Sequence, residues 1–185
     1  FFQAVVAGEN PVVVDDITIT LVLDIKSFAI WCGQFKDPNE IAMFMQKFLN
    51  AVNRVDQGHK GRINCFTGDG CIVIWSGTQG ACRGVSAAER VRLAIAAAQN
   101  IVAIADAILI PVRVGISSGW TVTYAIQVDP AGLNTFPVST GTGMNAAARV
   151  EAASKKLVKS KTESVIGIDE NTLQLCAQRG RGLPL

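Results

Sequence analysis

The sequence predicts an α+β fold: a ferredoxin-like (split βαβ) sandwich, with a mostly antiparallel sheet and helices packed around it. Three observations carry this. The segments read in the order β-α-α-β-β-α-β-β-α-β-α, the strands come in pairs about Gly-containing turns, and helical stretches separate those pairs. No internal repeat and no Pro/Gly/Ser-rich linker divides the chain.

Residues 17–25 (ITITLVLDI) are β-branched and apolar and end on an acid, the pattern of a buried strand. The turn beyond passes through Ser27 and Phe28 into a helix. Asp37-Pro38 starts the next helix, because proline suits a first turn whose N–H groups have no helical partner anyway. Ile41, Phe44, Met45, Phe48, Leu49 and Val52 then recur at helical spacing through 39–56. Strands at 61–66 and 71–75 flank Gly68-Asp69-Gly70, a hairpin signal. An Ala-rich helix follows over 85–107. Residues 111–117 and 120–128 read as a second strand pair about Ser118-Gly119. The Gly-rich run 141–143 leads into a helix over 142–157, and a strand at 164–168 and a helix at 169–177, started by Asp169, complete the order.

The 185 residues suit one domain with a full core. Only 17% are charged, against about 25% in ordinary soluble domains, and the net charge is +2. That balance argues against a nucleic-acid binder, which carries a clustered basic excess. No membrane span is expected either: the most apolar stretch, 93–112, is interrupted by Gln99, Asn100 and Asp106. Five cysteines, odd in number and without a C-x-x-C pair, fit reduced thiols, hence an intracellular setting, cytoplasmic or the cytosolic part of a larger protein. The start at Phe1-Phe2, without methionine, reads as a domain cut from a longer chain or one whose ends are disordered.

Three segments suggest chemistry. Asp24 closes the first strand and Asp69 sits at the tip of the hairpin beside it in a split βαβ sheet, so the two carboxylates can converge. Such a pair suits Mg²⁺ held together with substrate phosphates, and the turn into the following helix offers backbone N–H groups to phosphate oxygens. Asn145 and Arg149 stand at i and i+4, on one helix face, where an amide and a guanidinium suit a ribose and a phosphate. Each feature also has an ordinary reading: a turn residue, a strand-end cap, and a helix whose Arg149 pairs with Glu151 or a neighbour.

Together these segments resemble the catalytic domain of class III nucleotide cyclases, the adenylate and guanylate cyclase family. The family's Asp-Ile-x-x-Phe is met by Asp24-Ile25-Lys26-Ser27-Phe28, and its Phe-x-Gly-Asp-Gly by Phe66-Thr67-Gly68-Asp69-Gly70. Its Arg-x-Gly-Ile-x-x-Gly is met by 113–119, and its Asn-x-Ala-Ala-Arg-x-Glu by 145–151. The resemblance runs from about Ile17 to Cys176. It implies a lead-in over 1–16, a catalytic domain over 17–178 and a truncated tail over 179–185. It further implies two Mg²⁺ or Mn²⁺ on Asp24 and Asp69 with help from the Ile25 carbonyl, and phosphate contacts from Ser27 and Phe28. Asn145 and Arg149 would act across a homodimer or a heterodimer with a second cyclase domain, on a site shared between subunits. The implied reaction forms a 3′,5′-cyclic nucleotide and pyrophosphate from a nucleoside triphosphate, ATP or alternatively GTP. The competing reading is a weak or inactive cyclase-like module serving as a dimerisation, regulatory or structural subunit.

Of the two positions that set the base, one departs from the family. Base choice there rests on a Lys or Glu before the Gly-Asp hairpin and on an Asp, Thr or Cys ahead of the Asn helix; here these positions hold Cys65 and Thr142. Thr142 agrees with the adenylate type and favours cyclic AMP. Cys65 agrees with neither, and a thiol in place of a charged partner forgoes a bond worth roughly 1.5–3 kcal/mol. Arg181, in Arg179-Gly180-Arg181-Gly182, has the look of the family's late triphosphate-binding cation, or else belongs to a basic tail.

Overall fold

The computed structural model describes residues 12–127, 135–157, 160 and 162–177. Its elements are β1 (Val13–Ile25), α1 (Phe28–Cys32), α2 (Pro38–Gly58), β2 (Arg62–Phe66), β3 (Gly70–Trp75), α3 (Ala87–Ala107), β4 (Val112–Gln127), β5 (Thr135–Gly141), α4 (Thr142–Leu157), β6 (Val165–Ile168) and α5 (Glu170–Ala177). Five strands lie antiparallel in the order β2-β3-β1-β4-β5, and β6 runs parallel to the start of β4. The expected α+β sandwich is therefore what the chain forms.

Alternation along β1 assigns the two faces of the sheet. Ile19, Leu21, Leu23 and Ile25 are buried beside Trp75, Val73 and Cys71 of β3 and beside Ile116, Val114 and Val112 of β4. Phe48 and Val52 of α2 and Val91, Ala94, Ala98, Ile101 and Ala105 of α3 join this core. Asp37 caps α2 by accepting from the Asn39 amide at 2.9 Å, and Ser86 caps α3 by accepting from the Glu89 amide at 3.2 Å. The other face carries Thr18, Thr20, Val22 and Asp24 of β1 and Arg113, Gly115 and Ser117 of β4, and α4 packs across it.

One element departs from the expectation. Residues 112–127 form a single strand that runs through Ser118-Gly119, and the hairpin partner of its second half is β5, at 135–141. Gly119 is required by close approach rather than by a turn. A Cβ there would stand 2.6 Å from Thr142 Oγ1 and would strike the Gly143 amide, so the start of α4 lies directly on this strand. β4 thereby divides its outer edge, with β6 on Arg113–Ile116 and β5 on Thr121–Gln127. No helix among the described residues is long and apolar enough to cross a membrane.

Asp56 of α2 is fully buried, and neither carboxylate oxygen has a partner among the described residues. Burial pushes its pKa from 3.8 up to about 7. Between those values the folded chain holds a proton that the unfolded chain releases, so the native state is favoured at the acid end and loses that stabilisation as pH rises through 7. Thermal melts between pH 5 and 7.5 should show the wild-type midpoint falling with pH, and Asp56→Asn, neutral throughout, should flatten that slope. An unchanged slope would show that Asp56 does not titrate in this window.

Candidate functional site

Asp24 lies opposite Gly70 on one side and Arg113 on the other. The β2–β3 turn reaches it because residue 70 lacks a side chain: a Cβ there would fall onto the carbonyl oxygen of Leu23. The hairpin tip is thus clamped against the end of β1, and Asp69 comes close enough for its charge to act on Asp24. Burial first, then the charge of Asp69, pushes the Asp24 carboxyl above its ordinary range, while Arg113 pulls it back.

Arg113 bridges two acids. Its Nη2 donates to Asp24 Oδ2 and its Nε to Glu151 Oε1. A second cation, Lys155, stands 4.0 Å from Glu151. The partner of Glu151 is therefore Arg113 on the sheet, which ties α4 to the strand beside Asp24.

Beyond Ile25 the chain turns at Ser27, whose φ of 56° is left-handed, and enters the five-residue α1. Ile30 and Trp31 donate back to Ser27 O at 2.9 and 3.0 Å, leaving the Phe28 and Ala29 amides ahead of the helical bonding. Trp31 anchors α1 by packing on Phe44 of α2 (4.4 Å between centroids) and on Phe35 (4.5 Å). Lys26 is buried and donates its ammonium to the Ser160 and Glu163 carbonyls, holding that loop behind the turn.

Helix α4 divides its residues by face. Gly143, Ala147, Glu151 and Ser154 are buried against the sheet, whereas Asn145 and Arg149 are exposed. At about 100° per residue, those two stand on the far side of the helix from the buried row. They share one face, as their spacing implied, but that face turns away from the chain's own Asp24. Thr142, at the helix start, and Cys65, on β2, are both exposed. Arg181 lies outside the described residues.

The ion-pair chain Asp24–Arg113–Glu151 is not read from the sequence, where Arg113 is only a matched motif position and Glu151 has only the ordinary reading of a partner to Arg149. Their separation of 38 residues hides the pairing, although two opposite charges inside two motifs were the available signal. Asn64 was also overlooked: β2 carries a register shift between Ile63 and Cys65, and the Asn64 amide donates to Cys65 Sγ at 3.8 Å.

Among solved structures the chain is similar to the adenylyl cyclase CyaB from P. aeruginosa, with 16% identity and a TM-score of 0.73, over 91% of this chain and 84% of that one. It is also similar to the catalytic core of a rhodopsin-guanylyl cyclase with converted specificity in complex with ATPalphaS (17% identity, TM-score 0.73, 91% of this chain and 85% of that one). A third is the non-canonical dimeric guanylyl cyclase domain of the RhoGC fusion protein from the aquatic fungus Blastocladiella emersonii (17% identity, TM-score 0.73, 89% and 85%). No family model matches the chain. No curated protein matches it either. The fold is that of the class III nucleotide cyclase catalytic domain.

Proposed function

We propose that this chain is one half of a metal-dependent nucleotide cyclase whose active sites form between two such domains. The observation that carries this reading is the division of α4: Asn145 and Arg149 face away from the carboxylate pair of their own chain. They can serve a triphosphate only if a second domain brings its own Asp24 and Asp69 to meet them.

Asp24 and Asp69 fit a divalent pair, because the raised carboxyl of Asp24 beside a second acid is the situation a cation relieves. They would hold two Mg²⁺ or Mn²⁺ with the Ile25 carbonyl, and the bound ions supply charge neutralisation on the triphosphate and activation of the ribose hydroxyl. Arg113 would fix the Asp24 carboxylate from the side. The Ser27–Phe28 turn would receive phosphate oxygens, with Arg181 as a further cation. From the partner, Asn145 would orient the ribose and Arg149 would neutralise charge building on the α-phosphate. In the reaction the ribose 3′-oxygen bonds to the α-phosphorus and loses its proton, the bond from that phosphorus to the β-phosphate oxygen breaks, and pyrophosphate leaves. Thr142 would lie at the base, where a hydroxyl accepts from the adenine amino group, favouring ATP and cyclic AMP.

The test is an assay of the purified chain with ATP and GTP in parallel, with Mn²⁺, over a range of protein concentrations. Cyclic nucleotide formation should rise more steeply than linearly with protein where dimerisation limits the rate. No product from either triphosphate overturns the catalytic reading for a homodimer and leaves a cyclase-like dimerisation module.

A further inference from the structure

The position that should read the base holds a thiol, a poor hydrogen-bonding group, yet the strand places a better one beside it. Ile63 lies opposite Val73, and Cys65 lies opposite Ile72, so one residue of β2 is extra. Such a bulge breaks the alternation of side chains, and bulges recur beside active sites where they re-aim a side chain. Val73 is buried in the helix-covered core and Ile63 packs against it, while Ile72 stands on the opposite face, the one that carries Asp24. Cys65, across from Ile72, shares that face. Asn64 joins it: its amide nitrogen lies 3.8 Å from Cys65 Sγ, and its side chain is only half-buried. Without the bulge, neighbours at 64 and 65 would point to opposite faces.

We propose that Asn64, delivered by this bulge, is the side chain that reads the purine edge, and that it admits both adenine and guanine triphosphates. This rests on the cyclase reading above. A carboxamide offers an acceptor and two donors. Adenine presents an amino donor beside a ring-nitrogen acceptor, and guanine presents a carbonyl acceptor beside a ring N–H donor. Turning the amide over satisfies either pattern with two bonds. A donor-only ammonium or an acceptor-only carboxylate cannot meet a donor and an acceptor together, so an uncharged amide yields a permissive purine site. Thr142, whose hydroxyl accepts from the adenine amino group, tilts the choice toward adenine within that tolerance, and because it also donates it does not exclude guanine.

The test measures binding, independent of turnover, of non-hydrolysable ATP and GTP analogues in the presence of Mn²⁺ by calorimetry. The wild-type chain should bind both with affinities within about tenfold of each other, since each base gains a comparable bidentate pair. Asn64→Leu should weaken both by roughly tenfold to a hundredfold, and Cys65→Ala should cost less than Asn64→Leu for either analogue. Asn64→Asp, the same shape but acceptor only, can pair with the ring N–H and 2-amino donors of guanine but meets only the amino donor of adenine. It should therefore keep the GTP analogue and lose the ATP analogue by about tenfold, a split that a structural role for residue 64 would not produce. Circular dichroism melts establish that each variant is folded. If the wild type binds both analogues and Asn64→Leu binds as tightly, or Asn64→Asp weakens both equally, the assignment of Asn64 falls alone. If the wild type binds neither, the cyclase reading falls and this one with it.

Discussion

Replacing Asp69 by Asn should reduce cyclic nucleotide formation at least about a thousandfold, the scale of the several kcal/mol that a divalent ion contributes to a phosphoryl-transfer transition state. The substitution keeps the shape of the side chain and removes only its charge. Asp69 occupies a surface turn whose geometry comes from its glycine neighbours, with a φ of 93° at Gly68 and the tight fit of Gly70 on β1. The fold should therefore survive, and a far-UV circular dichroism spectrum and melting curve will register whether it does. A folded Asp69→Asn chain that retained more than a tenth of wild-type activity with saturating Mn²⁺ would remove Asp69 from the metal site.

Arg149→Ala should lower kcat by about a hundredfold to a thousandfold, the loss found when one preorganised donor to a developing oxyanion is removed. Its exposed position on α4 makes a stability effect of more than about 0.5 kcal/mol unexpected. The two variants also test each other. In a symmetric dimer with shared sites, Asp69→Asn and Arg149→Ala each spoil both sites. A mixed dimer collects both defects in one site and leaves the other intact. Mixing the two inactive proteins in equal amounts should restore about one quarter of wild-type activity: random exchange makes half the dimers mixed, each with one working site. No recovery on mixing, with exchange demonstrated by size-exclusion of a tagged partner, would show that the sites are not shared.

Much of this organisation can be read along the chain, because it is local. The buried strand ending at Asp24, the glycine-flanked hairpin tip and the Asn145/Arg149 spacing each depend on neighbours within a few residues, and each element stands where its pattern predicts. Gly119 misled because glycine has two uses. Its neighbour serine made a turn plausible, whereas the residue is small to admit the start of α4 against the middle of a long strand. With that strand cut in two, β5 had no partner left to announce it. The bridge from Asp24 through Arg113 to Glu151 and the bulge at Asn64 are non-local in another way. Both follow from strand register, which turns on which residues face each other across the sheet. A linear pattern carries the types of these residues but not their pairing.

The clamp of Gly70 on β1 has a thermodynamic consequence. The approach of the hairpin tip to the end of β1 is dictated by main chain meeting main chain. Burial and the like charge of Asp69 both push the Asp24 carboxyl upward, and Arg113 pulls it back. That opposition of charges is local, and it sets competence against robustness at a single turn.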